Sequence, residues 1–124
     1  MTSTTDPSTA GPPTPFIHQA AEVADLEDWG PLEEATGPEM TTAGLTLWND
    51  GGQEVGIWEC TPGPSRWLLE THEFIQVVGG RMTVTVDGGE PLALGPGDTA
   101  VFPRGWAGVW DIHETLRKVY VIFE

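Results

Sequence analysis

A chain of 124 residues with 16 Gly and 11 Pro has the size of one small domain and too many turn residues for a helical bundle. Five basic residues against 19 acidic ones leave a net charge of −14, which repels nucleic-acid phosphates and anionic lipid, so neither nucleic acid nor membrane is an expected partner. No apolar run approaches the ~18 residues of a membrane-spanning helix, no basic patch precedes an apolar stretch at the N-terminus, and the lone Cys60 excludes a disulfide framework or a Cys-pair zinc site, so a cytoplasmic setting is expected.

The charge divides the chain. Residues 1–65 hold eleven acids and no Lys or Arg, whereas all five bases fall in residues 66–124. Twelve of the first fifteen residues are Ser, Thr, Gly or Pro, too polar to offset the entropy of ordering, and they read as disordered. Residues 1–25 as a whole are expected to be a disordered or extended acidic leader, with one domain over 26–124. Ala, Glu and Leu favour a short helix around Ala20–Leu26, and Pro31 and Pro38 interrupt the residues after it. This stretch is expected to lie across the domain or across a partner subunit.

From Thr41 onward short apolar runs alternate with turn signals. Thr42–Asn49 ends at Asn49-Asp50-Gly51-Gly52, and Glu54–Cys60 ends at Pro62-Gly63-Pro64. Arg66–Leu69 is next, then Glu73–Val78 closed by Gly79-Gly80, and Arg81–Val86 closed by Asp87-Gly88-Gly89. Pro91–Leu94, Thr99–Phe102, Trp106–Ile112 and Leu116–Phe123 complete eight or nine strands. No helical period appears after residue 40. The pattern predicts an all-β sandwich, jelly roll or barrel.

Two spacings then become specific. Glu73 precedes Gly80 by seven residues, and Gly97 opens a Gly-x5-Pro-x-Gly segment that ends at Pro103-Arg104-Gly105. Together with Leu94-Gly95-Pro96-Gly97-Asp98 these resemble the two motifs of the cupins, over about residues 42–123. Trp58-Glu59-Cys60-Thr61-Pro62-Gly63, His72-Glu73-Phe74, Gly105-Trp106-x-Gly108-x-Trp110 and Arg117-Lys118-x-Tyr120 look like the ureidoglycine-aminohydrolase branch, which includes the ethanolamine-utilisation cupin. The resemblance implies a cupin jelly-roll β-barrel, often a homodimer, and it implies fold better than function.

The resemblance also implies where a metal would sit. Counted from the motif glycines, the ligand positions are Trp67, Leu69, Glu73 and Gly108, and only Glu73 has a ligating side chain. A metal-free barrel without a cofactor is therefore expected. His18, His72 and His113 are expected in the leader, at a strand entry and at a rim. In the motif register Trp67, Leu69, Glu73, Ile75, Val77, Gly108, Trp110 and Ile112 face the interior, with Gly108 leaving room. Trp58, Trp67, Trp106 and Trp110 make the expected pocket aromatic, suited to planar, sugar-like or cationic ligands; the alternative reading of each is that it simply fills a small barrel.

Glu73 is the candidate acid or base. A buried carboxylate needs a cation, a proton or a donor from a ligand. Lys118 can supply the cation if Leu116, Lys118, Tyr120 and Ile122 point inward, as the lysine near the substrate in related enzymes suggests. It cannot if Val119, Val121 and Phe123 do. Tyr120 is a second candidate in the pocket, and Cys60 is expected to pack rather than react. These residues suggest a small-molecule-binding cupin, with a metal-independent isomerase, cyclase or lyase as its catalytic form. The alternatives are a non-catalytic ligand-binding or sensor protein and a metal-dependent hydrolase like the named branch.

Overall fold

A computed structural model describes residues 11–124; the first ten residues of the expected leader lie outside the described ones. The expected helix around Ala20–Leu26 is only a single 3-10 turn, Ala20–Glu22. Three residues close too few hydrogen bonds to propagate a helix. The strands are β1 (Glu27–Pro31), β2 (Thr41–Asp50), β3 (Gln53–Cys60), β4 (Gly63–Leu68), β5 (His72–Val86), β6 (Leu92–Leu94), β7 (Thr99–Phe102) and β8 (Ala107–Phe123). All pairings among the described strands are antiparallel, and the architecture is the all-β jelly roll that the sequence leads one to expect.

Two long strands carry the fold. The C-terminal half of β8 lies between β3 and the start of β5, and its N-terminal half lies between β4 and the end of β5. The outer edge of β5 takes β7 along its first half and β6 along its second. One continuous pair, β5 with β8, therefore runs through both halves of the roll, and β3, β2 and β1 extend one of them.

Two breaks between strands expected from the sequence are absent. Gly79-Gly80 is a kink within β5, where the register against β8 shifts between Val77 and Met82. Gly80 has φ +78°, and a Cβ there would meet the Thr115 carbonyl oxygen at 2.1 Å. Only glycine fits that approach and that backbone. The kink also changes the side-chain parity. Glu73, Ile75 and Val77 point inward before it, and Met82 and Val84 after it. Likewise Trp106–Ile112 and Leu116–Phe123 belong to one strand, continuous through the exposed residues His113, Glu114 and Thr115.

Met40, Cys60, Ile75, Val77, Met82, Val84, Phe102, Trp110, Ile112 and Leu116 form the core between the two halves. Strand β1 was not expected. The segment expected to lie across the domain or a partner subunit adds Glu27–Pro31 as an edge strand to β2, with a bulge between Asp28 and Gly30. No helix among the described residues is long and apolar enough to cross a membrane.

Candidate functional site

A cavity of about 270 Å³ opens between the strands, lined by Trp29, Glu54, Trp58, Trp67, Glu73, Trp110, Lys118, Tyr120 and Ile122. The face of β8 that carries Leu116, Lys118 and Tyr120 is the buried one, which resolves the two orientations that the sequence left open. Lys118 is 3% exposed and Glu73 is 7% exposed. The Lys118 Nζ donates to Glu73 Oε2 at 2.7 Å.

The ammonium has further partners. It lies 4.5 Å from the ring centroid of Trp58 and 4.3 Å from that of Trp110. Trp58 faces Lys118 directly across the β3–β8 ladder, so strand register brings this contact about. Cation–π attraction and the carboxylate together compensate the desolvation of the charge. Trp110 is the hub of the aromatic wall. Its ring centroid is 4.5 Å from Trp67, 5.1 Å from Phe102 and 6.3 Å from Trp58. Its indole N–H has no acceptor, alone among the buried side-chain polar atoms of the described residues.

Glu54 supplies a second carboxylate, on the same face of β3 as Trp58. Its Oε2 accepts from the Tyr120 hydroxyl. Burial and the adjacent Glu54 carboxylate push the Tyr120 phenol above its ordinary range, so it remains a donor. Tyr120 fits because Gly56 faces it across the ladder: a Cβ on Gly56 would meet the Leu45 carbonyl oxygen at 2.3 Å and the Tyr120 hydroxyl at 2.9 Å. Trp29 arrives from β1. It is the extra residue of the bulge, and its ring lies over Gly44, where a Cβ would meet it at 2.3 Å. Bulges of this kind re-aim a side chain, and here one sends an indole to the cavity.

Residues 47–120 match the family described as the EutQ-like cupin domain. The chain belongs to this family. Solved cupin structures with the same fold include the EutQ protein of Clostridium difficile, 17% identical over 81% of this chain and 80% of that one, with a TM-score of 0.68. A putative ethanolamine utilization protein q from Salmonella typhimurium is 21% identical over 76% of each chain, with a TM-score of 0.63. A Pseudomonas syringae pv. tomato protein of unknown function from the DUF861 family has a TM-score of 0.74 at 23% identity. That alignment covers 81% of this cupin but only 45% of the other protein, so this cupin spans less than half of that relative's length. No curated protein matches the sequence.

The donor set of this cupin does not fit a divalent metal. Of the four motif positions only Glu73 offers an oxygen, and the Lys118 ammonium already holds it. The histidines are elsewhere: His72 Nδ1 accepts from the Arg104 backbone N–H, His113 bonds Thr83, and His18 packs edge-on against Phe16. His113 lies within β8 rather than beyond a strand end. Among the described residues no group of three His, Cys, Asp or Glu converges.

Among the residues expected in the pocket, Trp58, Trp67, Glu73, Trp110, Lys118 and Tyr120 line the cavity; Leu69, Ile75, Trp106 and Gly108 do not. Ile75 is fully buried in the core, and Leu69 and Trp106 pack against that core. Gly108 leaves no room, because a Cβ there would strike the Thr85 carbonyl oxygen at 2.3 Å and the Trp106 ring at 2.7 Å. Glu54 and Trp29 were not foreseen as lining residues, whereas Ile122 lies on the face of the last strand that one of the two expected orientations turned inward. Glu54 was within reach, since the two-residue period of β3 puts it on the face of Trp58.

Cys60 is fully buried, and burial pushes its thiol up to about 11, an effect that the Lys118 charge partly opposes. At pH 8 that leaves roughly a hundredfold less thiolate than the ordinary cysteine value of about 9 allows. Alkylation by iodoacetamide at pH 8 is therefore expected to be at least that much slower in the native protein than in urea. Comparable rates in the two states would show that the thiol is open to solvent.

Proposed function

We propose that this EutQ-like cupin binds a small molecule in the cavity around Glu73 and Lys118 and does so without a metal. The observation that supports this most directly is the ion pair itself. A fixed ammonium stands against the one motif carboxylate, beneath a wall of indoles, in a concave and largely apolar site. Lys118 thus supplies the positive charge next to Glu73 that a metal would otherwise supply.

The test is elemental analysis of protein purified without a metal-chelating tag, then incubated with manganese, nickel, zinc or iron and dialysed. Metal content is expected to stay far below one per chain. Near one per chain, with a rise in melting temperature that Glu73→Gln abolishes, the metal-dependent hydrolase reading replaces this one.

A catalytic role has one specific support. Glu73 and Lys118 share a hydrogen bond at 2.7 Å beside the cavity, so the pair offers a base and an acid to one ligand. That suits an isomerase, cyclase or lyase in which Glu73 takes a proton and the pair returns it. Unchanged turnover in a folded Glu73→Gln variant would remove Glu73 from that role and leave a ligand-binding or sensor protein.

A further inference from the structure

Resting on the reading of the cavity as a small-molecule site, we propose that its ligand is a small organic cation, an alkylammonium or guanidinium compound. Three ionisable groups of unlike role decide the charge preference. Lys118 is the one Lys or Arg among the lining residues, and it is already satisfied by Glu73 and by two indole faces. Among the described residues no cation pairs with Glu54. Its partners are the Tyr120 hydroxyl and, at 3.4 Å, the Asn49 amide, both neutral. A carboxylate has about four acceptor positions, so Glu54 keeps capacity for a charged donor.

The aromatic wall points the same way. Trp58 and Trp110 hold an ammonium at cation–π distance, so this surface already binds the proposed chemistry within the chain. Trp29 and Trp67 also line the cavity, and among the described residues the cation–π contacts fall on Trp58 and Trp110 instead. Their indole N–H groups are occupied by Glu27 Oε1 and Ser65 Oγ, so what these rings offer a cation is the negative π-face, one side of which Trp67 already lays against Trp110. An anion entering here would meet a neutralised lysine and two carboxylates. The net charge of −14 adds a field that draws cations toward the molecule and repels anions.

Three probes of one shape test this: choline, its neutral carbon isostere 3,3-dimethyl-1-butanol, and 3,3-dimethylbutanoate. Affinities are measured by calorimetry or ligand-observed NMR on the full chain. Choline is expected to bind roughly tenfold tighter than the alcohol, in keeping with a desolvated cation–π contact plus a carboxylate. The carboxylate probe is expected to bind weakest. Glu54→Gln, which keeps an acceptor for Tyr120 but removes the negative charge, is expected to lower choline affinity about tenfold through the lost Coulomb attraction and leave the alcohol unchanged. Trp29→Leu provides a second variant at the edge strand, with the same selective loss expected.

If the alcohol or the carboxylate binds as tightly as choline, the cation inference falls while the pocket reading stands. If choline affinity is unchanged in both folded variants, the inference also falls. If none of the three binds at millimolar concentration, the small-molecule reading falls with it.

Discussion

Lys118→Met is expected to lower the stability of the fold by about 3–5 kcal/mol, measured by urea unfolding at neutral pH. The substitution keeps most of the side-chain volume and the apolar stem. What it removes is the ammonium, and Glu73 is then left as a carboxylate that is 7% exposed with no cation beside it. The penalty lies in that uncompensated charge rather than in lost packing. A double variant separates the two. With Lys118→Met and Glu73→Leu together, both charges leave, and stability is expected to return to within about 1 kcal/mol of the parent or above it, because a buried ion pair is seldom more stable than an apolar replacement. If the single variant costs less than about 1 kcal/mol, water in the cavity is solvating Glu73, and the pair belongs with surface salt bridges.

Trp110→Ala is expected to cost a similar ~3–5 kcal/mol, from a different source. Trp110 is 1% exposed and touches Trp67, Phe102, Trp58 and Trp106, with the Lys118 ammonium over its ring. Deleting the indole opens a void beside the existing cavity and removes one of the two faces that hold the ammonium. Trp110→Phe isolates the second effect of interest, the orphan indole N–H. A buried unsatisfied donor costs about 1–3 kcal/mol, so removing it offsets part of the lost contact area, and the net loss is expected to stay below about 1.5 kcal/mol. A Phe variant as unstable as the Ala variant would mean that the N–H is satisfied by water in solution.

These effects concentrate where the sequence was most legible. The turn residues from Gly51 to Gly105 are local signals, and they placed most strand boundaries within two or three residues. The strict alternation of Leu116, Lys118, Tyr120 and Ile122 narrowed the lysine to two orientations, and packing chose the one that buries it. Features set by long-range approach were not legible. Gly79-Gly80 has the composition of a turn, yet β8 passes so close to Gly80 that glycine is required to keep the strand continuous. Gly108 reads as empty space, but the Trp106 ring fills it. Trp29 sits in a segment without period, and its place in the site depends on a bulge that pairs two strands and on a glycine fifteen positions later. Glu54 is the one omission that alternation alone could have repaired.

The gathering of indoles gives the site its own optical label. Of six tryptophans, four line one cavity, and Trp48, on the outer end of β2, is 40% exposed. Trp67 and Trp110 have ring centroids only 4.5 Å apart, with Trp58 next to them, so their excited states are coupled through space. The emission and the near-ultraviolet circular dichroism of the whole molecule are therefore expected to report chiefly on the arrangement of this one wall. Any molecule that enters, quenches or tilts one ring alters the signal of several, and occupancy can be followed on the untagged chain by light alone.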